Sequence, residues 1–267
     1  MKHIWLVSGI TIKEGIRNRV LLGVLFFALV MCAVNVVVTG SFTRDLGKVA
    51  VDVGLSTVSI SGLAIIFFLG MPLLAKDLDK LTVYLVLSRP IARRDYILGK
   101  FIGLNTLVFV SVLILSVITA ISVKLIMGLS PAYIPPLFSW TVFAMAVFFS
   151  FLSLVVMTSL SILYTCLSSS TYMAFIFTIG TYLIGQNIEL VRTLLKQANP
   201  EGSLTLSLLS AASWIFPNLS AFDRKTSAAY GLDFHWSTFG ITTAYAVSYT
   251  LLVLFITVLV FNRRELT

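Results

Sequence analysis

LAKDLDKLTVYLVLSRPIARRDYILGK, residues 74–100, is a polar and strongly basic stretch set between two long apolar runs. It holds two acids two apart, Asp77 and Asp79, then a Leu/Val/Tyr-rich run from Leu81 to Leu87, a Ser-Arg-Pro break and the basic pair Arg93-Arg94. The stretch predicts a helix at a membrane surface, a stop, and the entry to a second helix. The stop falls near Ser88 to Pro90, because the proline ring collides with the preceding turn of a helix and has no N–H to donate.

Most of the remaining chain is lipid-soluble. Of its 267 residues 58% are hydrophobic and 11% charged, against roughly 25% charged in a soluble domain. With a mean hydropathy of +1.00, the chain reads as an all-α polytopic membrane protein, a single domain over residues 1–267. Outward from the central stretch, the flanking runs predict spans at about Leu55–Leu74 and Phe101–Met127. Further spans are expected at Val20–Val38, Leu137–Leu163, Met173–Ile188 and Phe239–Phe261. The first of these in the chain, Val20–Val38, has about the 20 apolar residues that a bilayer requires.

Residues 1–19 have a loose amphipathic pattern, with Ile4, Trp5, Leu6, Ile10 and Ile16 set among Ser8, Thr11, Lys13, Glu14 and Arg17. They suit a helix lying in the headgroup region. The opening is too polar for a signal-peptide core, so no cleaved leader is expected. Before the last span comes an insert, residues 189–236, in which Leu190, Val191, Leu194 and Leu195 recur at helical spacing. Short helices at the outer face are expected there.

Orientation follows from Lys and Arg, which favour short cytoplasmic loops. Six spans put the N-terminus, residues 75–100, the Ser-rich bend near residue 168 and the tail on one side, with twelve of the nineteen cations against five acids. The other side has seven cations and six acids. Both termini are therefore expected in the cytoplasm of a bacterial or archaeal cell, with the protein in its cytoplasmic membrane. The net charge of +8 reads as topology and contact with anionic lipid, not as nucleic-acid binding.

Chemistry is conspicuous by absence. His3 and His235 are far apart and have no ligand-type neighbours at metal spacing. No phosphate-binding glycine loop is present, and Gly99-Lys100 is too short to be one. The spans carry no Ser-His-Asp set and no inward carboxylate pair. Cys32 and Cys166 fall in different apolar runs and read as buried free thiols. Lys124 and Glu189, near outer span ends, read as snorkelling side chains. No catalytic residue, cofactor or metal is expected. The residues alone leave open a transport subunit, a membrane-embedded assembly or binding factor, and an ion-coupled carrier, the last lacking the buried charges such carriers use.

The run KDLDKLTVYLVLSRPIARRDYILGK resembles the first cytoplasmic loop of ABC-2 type permeases, the membrane subunits of type-2 ABC exporters. It is most similar to the branch that includes the permease of nitrous-oxide reductase maturation. Asp77 and Asp79 stand where that family carries Glu, and Thr82, Leu85, Leu87, Pro90, Arg93, Gly99 and Lys100 match its pattern. Lys80-Leu81 departs from it, replacing a Gly commonly found before the Thr. The resemblance implies a permease without its own nucleotide site, paired with a second permease as a homodimer. It further implies two cytoplasmic ATPase subunits docked on the 75–100 loop. The coupling residues would then be Asp77, Asp79, Thr82, Tyr84, Leu85, Leu87, Arg89, Pro90 and Arg93.

Overall fold

The computed structural model describes residues 2–41, 46–79, 92–129, 138–168, 170–198, 215–232 and 236–263. Among them every regular element is helical. In chain order they are α1 (Lys2–Arg17), α2 (Arg19–Ser41), α3 (Leu46–Ile65), a π-helical turn (Ile66–Gly70) and α4 (Met71–Asp79). After these come α5 (Arg93–Leu129), α6 (Trp140–Leu167), α7 (Thr171–Ala198), a 3₁₀ turn (Leu219–Phe222), α8 (Lys225–Tyr230) and α9 (Trp236–Arg263). Among the described residues six segments are long and apolar enough to cross a membrane: 19–37, 47–77, 93–128, 140–167, 171–194 and 238–263.

The second and third spans are longer than hydropathy alone predicts. The second starts at residue 47 and not 55, and the third at residue 93 and not 101. Residues 75–79 and 93–100 thus prolong membrane helices and do not form a separate surface helix, leaving the connection as 80–92. Nothing in 74–79 breaks a helix, and the charged residues that close the apolar windows neutralise one another across the two chains of the hairpin, as described below. From Lys100 to Lys124 the rise is about 36 Å at 1.5 Å per residue, enough for a hydrocarbon core of roughly 30 Å. The two turns before Lys100 therefore project beyond the core. The fifth span is likewise extended. Leu190, Val191 and Leu194 belong to the continuous helix α7, so the insert is entered after Ala198 and not at Glu189. A helix leaving the membrane needs no apolar residues to continue, because its backbone bonds are internal.

The π turn has a local cause. Pro72 follows it closely, and in a regular helix its ring would press on the carbonyl four residues back. Widening the preceding turn relieves that contact, and the Met71 N–H reaches the Ile66 carbonyl five residues back.

The bundle is centred on α3 and α6. In the most apolar window of α6, 72% of residues are buried, against 22% in α2 and 28% in α7, which leaves the latter two on the rim. Phe149, Val156 and Met157 of α6 pack into one core with Val58, Ile66 and Leu69 of the second span. Several hydroxyls inside α6 are satisfied by their own helix: Thr158 donates to the Leu154 carbonyl and Thr165 to that of Ser161. This is the arrangement a water-poor interior requires.

The end of the bundle opposite the 80–92 connection is closed by residues 215–232. There the Asn218 N–H donates to the Tyr245 hydroxyl at 2.9 Å, and the Tyr249 hydroxyl donates to the Ile215 carbonyl at 3.0 Å. Gly185 of α7 lets this segment approach, since a Cβ there would lie 2.6 Å from the Pro217 carbonyl oxygen. Gly231, at φ 65°, ends α8 in the left-handed conformation that glycine adopts without strain.

Candidate functional site

The 80–92 connection is flanked by a polar corner in which four helices meet. Positions 93, 96, 97 and 100 of α5 recur at helical spacing and so share one face. Tyr96, Ile97 and Lys100 on it are all buried. Opposite stands the last turn of α4. Lys100 Nζ lies 2.6 Å from Asp77 Oδ2, and the Tyr96 hydroxyl donates to the same oxygen at 2.9 Å. The Lys100 side chain is 4% exposed and that of Asp77 20%. A buried lysine holds its charge only with such a partner, and here the carboxylate accepts from two donors.

The corner extends to the end of the chain. The Tyr96 ring stacks on Phe261 of α9 at 5.9 Å between centroids. Arg93 Nη1 donates to the carbonyls of Phe261 and Asn262, at 3.1 and 2.9 Å. The last carbonyls of a helix have no partners within it and carry its negative dipole end, so a guanidinium is well placed there.

The adjoining face of α5 carries Gly99 and Gly103, four apart, and α1 packs directly on them. A Cβ at Gly99 would lie 2.6 Å from Val7 Cβ and 2.9 Å from the Ile4 carbonyl oxygen; one at Gly103 would lie 2.7 Å from Thr11 Cβ. Small residues at this spacing let two backbones approach inside a membrane. The Gly99-Lys100 pair therefore has a structural meaning: the glycine admits α1, and the lysine closes the α4–α5 hairpin. Lys76 Nζ adds a link from α4 to Glu14 of α1 at 3.4 Å.

Of the candidate coupling residues, Asp77 and Arg93 are placed at this corner. Asp79 ends α4, and its side chain lies outside the described residues. Thr82, Tyr84, Leu85, Leu87, Arg89 and Pro90 also lie outside them. Tyr96 and Lys100, with the end of α9, were not among the candidates. Their contacts join residues from 19 to 169 positions apart, and no local spacing announces such partners.

At the opposite end, Ser59, Ser150, Tyr182, Gln186 and Asp223 line a cavity of about 20 Å³. That volume suits a single water molecule and is far too small for a transport chamber. Among the described residues no group of three His, Cys, Asp or Glu could hold a metal ion. Cys32 and Cys166 are buried thiols that form no disulfide with each other.

A family model described as "ABC-2 family transporter protein" matches residues 5–266. The chain belongs to the ABC-2 transporter family. The match spans almost the whole sequence and is to the family at large, without selecting the nitrous-oxide reductase branch. No curated protein matches the chain. As an ABC-2 family member with six membrane-crossing helices, the protein is a multi-pass permease component of an ABC transporter. The polar corner is thus a feature of the end of an ABC-2 permease at which α4 and α5 project.

Proposed function

We propose that this ABC-2 permease works in an exporter powered by separate ATPase subunits, and that the connection between α4 and α5 is where an ATPase docks. The observation that supports this reading is the polar corner itself. Asp77, Tyr96 and Lys100 tie the end of α4 to the start of α5, Arg93 ties that start to α9, and Gly99 and Gly103 seat α1. A displacement imposed on the connection is thereby delivered to four helices together. A chain without nucleotide chemistry of its own requires such a handle.

In this reading two permeases, identical copies, pair in the membrane with two ATPases, and closure of the ATPases tilts the projecting hairpins and alternates a path for substrate outward. The hairpin end and both termini face the cytoplasm, in keeping with the uneven distribution of Lys and Arg. Reporter fusions after Val38, Lys100 and Ala198 should report outside, inside and outside; an inside signal at Ala198 would reverse the placement of α7. The functional test is copurification. The tagged full chain, extracted from its own membranes in mild detergent, should bring down an ABC ATPase. Replacing residues 81–87 by a Gly-Ser linker should abolish that association without loss of the permease. Recovery of the chain without any ATPase, under conditions that keep other membrane complexes whole, would refute the reading.

A further inference from the structure

A second feature of the projecting end is a groove of about 600 Å³ between α1 and α4. Ile10, Lys13, Glu14 and Arg17 form one wall, and Pro72, Leu73 and Lys76 the other. Lys13 and Arg17 are four apart on α1 and so project from one face. Among the described residues neither has a carboxylate partner. Glu14 pairs with Lys76 at 3.4 Å, which steadies the ammonium while leaving its other donors available. Three cations, one acid and Asn18 thus line a groove whose remaining surface, Ile10, Pro72 and Leu73, is apolar.

The two chemistries are arranged in order along α1. Leu6, Ile10, Lys13 and Arg17 follow one another on a single stripe, passing from apolar to cationic. Trp5, Leu6, Ile10 and Ile16 are exposed, as on a helix whose apolar face enters the acyl boundary of a bilayer. With Lys100 at the edge of a core roughly 30 Å thick, its partner Asp77 and the neighbouring Lys76 fall at headgroup depth, and the groove with them.

We infer that this groove binds one anionic phospholipid, its phosphate held by Lys13, Arg17 and Lys76 and the start of an acyl chain laid against Ile10, Pro72 and Leu73. The occupant is a lipid and not free phosphate, because cations and apolar wall are continuous. A bound lipid would brace α1 against α4, the helix that ends in Asp77. The inference is independent of whether an ATPase docks on the neighbouring connection.

The test uses the purified full chain in neutral detergent, melted in the presence of phosphatidylglycerol, phosphatidylcholine or inorganic phosphate. Phosphatidylglycerol should raise the melting temperature saturably, and the other two should not. The Lys13→Gln/Arg17→Gln double variant should need about thirtyfold more phosphatidylglycerol for the same shift, at roughly a factor of five for each cation. Lys13→Arg/Arg17→Lys should respond as the wild type, and so should Lys124→Gln at the other end of α5. An equal shift with phosphatidylcholine would mean a non-specific lipid effect, and an equal shift with inorganic phosphate a simple anion site. Either result, or an unchanged response in the glutamine double variant, overturns the inference. Should that variant fail to fold, the three-ligand comparison on the wild type still decides it.

Discussion

Asp77→Asn should destabilise the permease by about 3 kcal/mol, the lower end of the range for breaking a buried ion pair by removing one partner. The cost arises on the other side of the pair. Lys100 is buried, and without the carboxylate its ammonium keeps the Tyr96 ring beside it but no ion-pair partner among the described residues. Partial exposure of Asp77 admits some water to the corner, which keeps the loss from being larger. The informative comparison is the double variant Asp77→Asn/Lys100→Met, since replacing a buried pair by well-packed neutral groups is often close to neutral. Thermal melts of the wild type, both single variants and the double variant give the coupling between the two sites. The double variant should recover most of the loss shown by Asp77→Asn. If the double variant melts below both single variants by the sum of their losses, the two residues act independently and the corner does not hold the hairpin together.

Leu85→Ala should leave the permease's own melt unchanged and weaken its association with the ATPase about thirtyfold, corresponding to roughly 2 kcal/mol for truncating an apolar anchor at an interface. Arg93→Ala provides the contrast. Its guanidinium holds the last carbonyls of α9, so this variant should lower the melting temperature of the permease alone, whatever it does to docking. Quantitative copurification and ATP hydrolysis, measured beside melting of the isolated permease, separate the two effects. A Leu85→Ala protein that loses stability and keeps its ATPase would place the side chain in the permease's own packing and end its assignment as an anchor.

How far the sequence could be read depended on the range of the interactions involved. The six spans follow from length and hydropathy, quantities that reside within each segment. Helix ends were harder, because apolar windows stop at charge whereas helices do not. Asp77 and Lys100 close their respective windows, yet each is the other's partner and both helices run through them. Glu189 and Arg192 in the same way mark the end of an apolar run but not the end of α7. At the site, Asp77 and Arg93 were legible as polar residues beside a turn. Tyr96 was not, since its role depends on Asp77 and on Phe261 at the far end of the chain. Gly99 was legible only as part of a family pattern; its physical reason, the close passage of α1, exists only in three dimensions.

The wide turn at Ile66–Gly70 has a consequence for azimuth. One residue of α-helix is about 100° of rotation, so the extra residue that such a turn takes up resets the phase of everything beyond it. Above the turn the second span presents Val58 and Ile65 to the core; below it, the reset phase turns Asp77 toward Lys100 and Tyr96. An uninterrupted helix from Leu46 would carry that carboxylate about 100° around the axis, out of reach of both. The proline that forces the turn open thereby acts at a distance of more than a helical turn, as the indexing element that aligns one half of the span with the hairpin it must close.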